Sequence, residues 1–181
     1  QCDWSSDVCS SDLTINQSGM VTGITAGVVT ITYAVTVNGC TGYTRKQFTV
    51  NPLPVVPAIT GNTTICDNTT TLLSNTSTGG VWSSSLTSKA TVNSSTGIVT
   101  GVAAGNSTIT YLYTDNNGCS NTNSTVVTIN ASPTVAAITG NSGVCIGSTT
   151  TFSNVTLNGT WSSSNTNVAT INSGGLIDRK S

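Results

Sequence analysis

The sequence contains no histidine and no glutamate, and its only acidic side chains are six aspartates. Acid–base, metal-hydrolytic and nucleophilic-triad chemistries depend largely on histidine or on paired carboxylates. The residue types that carry catalysis are therefore scarce. We expect a protein that is not an enzyme, with no catalytic residues, no bound cofactor and no metal.

Charge is also scarce: charged residues make up 6% of the 181 residues, with five Lys or Arg and a formal net charge of −1. Binding to nucleic acid or to an anionic membrane rests on clustered positive charge, which so few Lys and Arg cannot supply. The apolar runs are far shorter than the roughly 20 residues that span a bilayer. We therefore expect no nucleic-acid partner and no membrane insertion.

Threonine is abundant, with 36 residues, and hydrophobic residues alternate with it. In residues 30–37 the side chains of Ile31, Tyr33 and Val35 fall on one face, with Thr on most of the other, and residues 108–114 repeat this period of two. Such alternation predicts β-strands, and no stretch has a helical period. Seven short strands are predicted near residues 57–60, 69–74, 80–84, 89–93, 97–102, 107–114 and 124–130.

Segments of the sequence recur at offsets of 78 to 79 residues. The recurring pairs are Ala58–Asn62 with Ala137–Asn141, Cys66 with Cys145, Trp82–Ser85 with Trp161–Ser164, Ala90–Asn93 with Ala169–Asn172, Cys40 with Cys119, and Pro54 with Pro133. A unit of about 79 residues is long enough to be a domain. We predict a complete unit at residues 55–133, the C-terminal half of a unit at 14–54, and the N-terminal half of another at 134–177.

The order of motifs in the complete unit resembles the bacterial Ig-like group two domains, which occur as tandem repeats in adhesins of the invasin and intimin type. The resemblance rests on Trp82–Ser85, Lys89–Asn93, Thr96–Gly105 and Ser107–Tyr111. It implies an all-β fold of tandem immunoglobulin-like β-sandwiches. It also implies a spacer or adhesive role, without implying a ligand.

Six residues are predicted to be structural parts of this core: Trp82, Trp161, Ala90, Gly97, Gly105 and Tyr111. A tryptophan early in a central strand fills the space between two sheets, and the two glycines suit turns with positive φ. The rival interpretation of the tryptophans is a platform for stacking sugars. Residues 115–118 resemble a short calcium loop, but they offer a single carboxylate, which favours a turn.

Four of the six cysteines follow the repeat. Cys66 and Cys119 are the pair inside the complete unit, and we expect a disulfide between them; bridges between units, Cys40–Cys66 and Cys119–Cys145, are the alternative. Either pairing implies an oxidising compartment.

The two ends of the chain differ from the rest. Trp4–Leu13 can be encoded by one strand of a DNA sequence whose reverse complement encodes Asp178–Ser181, and that DNA resembles a common sequencing adapter. We interpret residues 1–13 and 178–181 as non-native additions to an internal fragment.

Together these features predict a non-catalytic spacer, stalk or adhesin segment of a bacterial cell-surface or secreted protein. Its partners would be neighbouring Ig-like units, and an extracellular glycan or protein would be bound through a separate tip domain. The alternative function is a carbohydrate-binding accessory module of a secreted protein.

Overall fold

The computed structural model describes residues 13–16 and 18–179, and regular structure within them is β-strand throughout. This confirms the all-β prediction. The chain divides into two compact units between Ala131 and Ser132. None of the described residues form a helix that is long and apolar enough to cross a membrane.

The first unit begins with two pairs of antiparallel strands. The strands are β1 (Leu13–Ile15), β2 (Val21–Gly23), β3 (Gly27–Val37) and β4 (Cys40–Val50), paired as β1–β2 and β3–β4. Asn38 and Gly39 join β3 to β4 with φ of 51° and 80°. Positive φ at both residues of a two-residue loop is the geometry of the type I′ hairpin turn.

Residues 55–131, which we call the central domain, contain seven strands in two sheets. The strands are β5 (Thr64–Cys66), β6 (Thr70–Leu72), β7 (Val81–Ser84), β8 (Ala90–Val92), β9 (Ile98–Gly101), β10 (Gly105–Thr114) and β11 (Ser120–Asn130). One sheet has the order β5-β11-β10-β7 and the other β6-β9-β8. All pairs in both sheets are antiparallel except β5 with β11.

A single hydrophobic cluster fills the central domain. It contains Val56, Ile65, Leu73, Trp82, Ala90, Val99, Ile109, Tyr111, Val127 and Ile129. The four-stranded sheet contributes Ile109 and Tyr111 from alternate positions of β10, as the period of two predicts. The three-stranded sheet contributes Ala90 and Val99, which are both fully buried.

The predicted strands agree with the observed ones except at the start of the domain. Residues 57–60 form no strand; they contribute one isolated bridge, Thr60 to Ser74. The strand that the prediction missed is β5, whose three residues pair in parallel with β11. So short a strand has too few residues to display an alternation, so its pairing is decided by its partner.

The β3–β4 hairpin has the alternation of β10–β11 but not its cover. Tyr33 and Phe48 lie on the same face of the hairpin, since Val29 pairs with Phe48 and stands two residues from Ile31 and four from Tyr33. Tyr33 is 52% exposed and Phe48 is 39% exposed, whereas Tyr111 of β10 is buried. Burial of this face thus depends on a second sheet, which the described part of residues 13–54 does not supply.

The second unit repeats local features of the central domain. Its strands are β12 (Thr149–Thr151), β13 (Ala169–Ile171) and β14 (Leu176–Arg179), in the order β12-β14-β13. The central domain has the same arrangement in β6-β9-β8. The Thr139–Ser153 bridge likewise matches Thr60–Ser74.

The predicted non-native ends are only partly within the described residues. Leu13 lies in β1 and is fully buried, and Asp178 and Arg179 lie in β14. Residues 1–12 and 180–181 lie outside the described part of the chain. The assignment of these ends as non-native stays a prediction.

Candidate functional site at the two ends of the central domain

The chain enters the central domain beside the β10–β11 loop. The side-chain amide of Asn121 donates to the Pro54 carbonyl oxygen at 2.9 Å, and that of Asn123 donates to the Val56 carbonyl oxygen at 3.2 Å. Asn121 and Asn123 are alternate residues of β11, so they point to the same face. The linker is thereby fastened along β11, and we call this end of the domain, with residues 115–119, the entry end.

The loop at the entry end is held by its own aspartate. One carboxylate oxygen of Asp115 accepts from the backbone amides of Asn117 and Cys119, each at 2.9 Å, and Gly118 has a φ of 81°. This is an Asx-type turn, in which the side chain satisfies backbone donors. The carboxylate therefore acts in turn formation, and no group of three metal-ligating side chains occurs among the described residues.

The chain leaves the domain at the opposite end of β11, which we call the exit end. There Cys66 is the partner of Asn130 in the parallel β5–β11 ladder, and the Asp67 amide donates to the Asn130 carbonyl oxygen at 2.9 Å. β11 has eleven residues, so at roughly 3.3 Å per residue the two ends are about 33 Å apart.

This register overturns the predicted disulfide. Cys119 directly precedes β11 at the entry end, whereas Cys66 lies beside the last residue of β11 at the exit end. A disulfide requires Cα atoms within about 7 Å, and the length of β11 far exceeds that distance. Both cysteines are free thiols, as are Cys40 and Cys145. The prediction was wrong because a pair within one unit of sequence need not lie at the same end of the domain.

Trp82 lies in the core, where its ring packs against Tyr111 with ring centroids 4.6 Å apart and planes at 49°. The Tyr111 hydroxyl accepts from the Gly80 amide at 2.8 Å and donates to the Ser77 carbonyl oxygen. An open cleft of about 610 Å³ adjoins these residues, and its only aromatic lining residues are Trp82 and Tyr111. Both rings are buried, so neither offers a face for stacking a sugar at this cleft.

The other predicted structural residues occupy distinct positions. Gly97 and Gly105 have φ of 75° and 138°. The Lys89 side chain passes Gly105 and donates to the Ala104 carbonyl oxygen at 2.8 Å. In the second unit Trp161 is half-buried, with its ring centroid 6.5 Å from that of Phe152.

Two groups of residues were not anticipated from the sequence. Ser107 is buried and its hydroxyl accepts from the Leu86 amide at 3.1 Å and bonds to the Ser84 hydroxyl at 2.9 Å. Its position on the inward face of β10 was a usable signal. Asn121 and Asn123 gave none, because their partners lie 67 residues away.

Comparison with known proteins agrees with this architecture. Residues 45–126 match the family model of the bacterial Ig-like domain (group 2). This part of the chain is a bacterial Ig-like domain. Such Ig-like domains are generally structural and non-catalytic.

Solved structures of an S-layer protein are also similar to the chain. Domains 1–6 of the surface layer protein SbsC align at 23% identity and a TM-score of 0.31, covering 90% of this chain and 24% of that one. Domains 4 and 5 align at 25% identity and a TM-score of 0.26, covering 66% of this chain and 64% of that one. No curated protein matches the chain.

The asparagines at the entry end of the Ig-like domain can be tested directly. Replacing Asn121 and Asn123 with alanine removes two side-chain hydrogen bonds to the linker, which we expect to lower the free energy of unfolding by about 1–3 kcal/mol in total. Urea unfolding of the full chain, followed by hydrogen exchange of the β10–β11 amides, measures this loss. The matched control is Thr122→Ala with Ser124→Ala, two exposed side chains on the opposite face of β11. Equal losses in the two double variants would mean that the linker is not fastened by these amides.

Proposed function

We propose that this chain is a piece of a head-to-tail series of Ig-like domains that acts as a spacer on a bacterial cell surface or in a secreted protein. The observation that carries the proposal is the position of the two ends. The linker enters beside Asn121 and the chain leaves after Asn130, at opposite ends of β11. A domain of this kind adds its own length to a series, which is what a spacer requires.

The recurrence of hydrogen bonds supports a series of similar domains. The Leu73 amide donates to the Gly97 carbonyl oxygen at 3.0 Å, and the Phe152 amide donates to that of Gly175 at 2.8 Å. The side-chain amide of Asn75 donates to the Pro57 carbonyl oxygen, and that of Asn154 to the Ala136 carbonyl oxygen, each at 2.6 Å. Two segments of the chain therefore use equivalent polar contacts to form the same local structure.

The parallel pairing of β5 with β11 suits a domain under tension. A force that pulls on the linker and on the end of β11 acts along both strands in opposite directions. The hydrogen bonds between Thr64–Cys66 and Thr128–Asn130 then bear the load together, because they lie across the direction of force. The spacer would resist extension through this shear geometry.

Small-angle X-ray scattering of lengthened chains tests the proposal. We expect each additional copy of residues 55–133, inserted after residue 133, to increase the maximum dimension by roughly 35–45 Å, the length of an eleven-residue strand plus a linker. The unmodified chain and chains with one and two added copies would be compared at equal concentration.

A linear increase distinguishes an extended series from a compact one. If the domains folded back on each other, the radius of gyration would grow only as about the 0.38 power of chain length. That result, or an unchanged maximum dimension, would refute the spacer function.

A further inference from the structure

Cysteines occur at both ends of the domain, and the structure assigns them a relation that the sequence did not suggest. We propose that, in a series of these domains, the exit-end cysteine of one domain forms a disulfide with the entry-end cysteine of the next. In the central domain the exit-end cysteine is Cys66 and the entry-end cysteine is Cys119. This inference rests on the proposed head-to-tail series.

The entry-end cysteine is held next to the incoming linker. Cys119 stands two residues before Asn121, whose side chain is bonded to Pro54. The Cys119 amide is fixed by the Asp115 carboxylate, and its side chain is partly exposed. The thiol thus belongs to an ordered loop that lies where a preceding domain would end.

The position of the exit-end cysteine follows from the ladder and the repeat. Cys66 is opposite Asn130, and neighbouring strands lie about 4.8 Å apart. At the offset of 79 residues, Asn51 stands where Asn130 does, directly before Pro52. An exit-end cysteine of the preceding domain would therefore lie beside Asn51.

Only three residues separate Asn51 from Pro54, so the two thiols would face one short junction. Three residues span at most about 10 Å. Pro52 and Pro54 have no amide hydrogen and a fixed φ, so they keep this junction extended and outside the ladders. The separation of the two cysteines is thus close to the range in which a disulfide forms with a small adjustment of the junction.

The same geometry accounts for the free thiols of this chain. The partner of Cys119 would come from a domain before residue 14, and the partner of Cys66 from the loop of a domain that follows, 79 residues beyond Cys119. Neither cysteine has its expected partner within residues 13–179, in agreement with their free state. Bond formation removes two protons and two electrons from the two thiols, and a disulfide-donating oxidant such as oxidised glutathione accepts them, giving two glutathione thiols.

The experiment uses the chain with residues 55–133 duplicated in tandem, which creates one complete junction between similar domains. After equilibration with oxidised and reduced glutathione, non-reducing peptide mapping by mass spectrometry should find Cys66 of the first copy joined to Cys119 of the second. The unmodified chain, treated in the same way, should keep Cys40, Cys66, Cys119 and Cys145 as thiols.

Serine variants distinguish the two copies. Cys66→Ser in the first copy, or Cys119→Ser in the second, should abolish the cross-link. Cys66→Ser in the second copy with Cys119→Ser in the first should leave it at the parental yield. Hydrogen exchange of the β10–β11 amides verifies that each variant is folded.

Two results would overturn the inference. One is a folded duplicated chain whose thiols all remain free in oxidised glutathione, and the other is a Cys66–Cys119 bond within one copy. If scattering nevertheless showed the expected lengthening, the spacer function would stand and only the disulfide would fail. A compact duplicated chain would refute the spacer function itself.

Discussion

Replacing Trp82 with alanine is expected to lower the free energy of unfolding of the central domain by about 3–5 kcal/mol, the usual cost of removing a buried tryptophan side chain. Trp82 is 6% exposed, it packs against Tyr111 with ring centroids 4.6 Å apart, and its indole lies next to Gly97. The vacated space cannot refill easily, because the surrounding groups are backbone and ordered strands. Since small domains are stabilised by about 5–15 kcal/mol, this variant would be close to unfolding.

Val81→Ala is the matched control for Trp82. Val81 precedes Trp82 on β7, points to the opposite face and is 53% exposed. Its truncation should cost less than about 1 kcal/mol, because exposed positions lose little contact. Urea unfolding followed by hydrogen exchange of the β10–β11 amides provides a readout that does not depend on tryptophan fluorescence. Similar losses for the two variants would contradict a structural role for the indole and would reopen a surface role.

Replacing Gly97 with alanine is expected to cost about 3–5 kcal/mol, from two separate effects. Gly97 has a φ of 75°, a conformation that costs a residue with a Cβ roughly 1–2 kcal/mol. A Cβ at this position would also overlap the Leu73 carbonyl oxygen and come within 3.0 Å of the Trp82 indole. Relief of such overpacking typically costs a further 1–3 kcal/mol, about as much as the backbone effect. The Leu73 amide bonds to the Gly97 carbonyl oxygen at 3.0 Å, so moving the turn away would strain that bond as well.

Gly118→Ala separates the two effects. Gly118 has a φ of 81°, nearly that of Gly97, but a Cβ there would meet nothing within 4 Å. It should therefore cost only the backbone share, about 1–2 kcal/mol. The difference between the two variants in urea midpoint, at equal slope, measures the packing share. Equal losses at Gly97 and Gly118 would mean that the turn moves freely and that no close contact is made.

The core of the domain was accessible from the sequence because a strand has a period of two. That period fixes which side chains share a face, so Ile109 and Tyr111 could be assigned inward positions before any partner strand was known. Trp82, Ala90 and Gly97 belong to the motifs that carry the family resemblance, and they lie together in the folded domain. Ser107 lies on the same inward face, where its hydroxyl finds partners in Ser84 and Leu86.

What the sequence determined by itself was thus the kind of structure and the faces of its longer strands, since both follow from local alternation. Only the tertiary structure decided where the ends of those strands lie. Cys66 and Cys119 belong to one unit of sequence, yet the parallel pairing of β5 with β11 puts them at opposite ends. Asn121 likewise meets Pro54 only because the linker folds back along β11. Pairing, direction and register join residues far apart in the chain, and no local pattern encodes them.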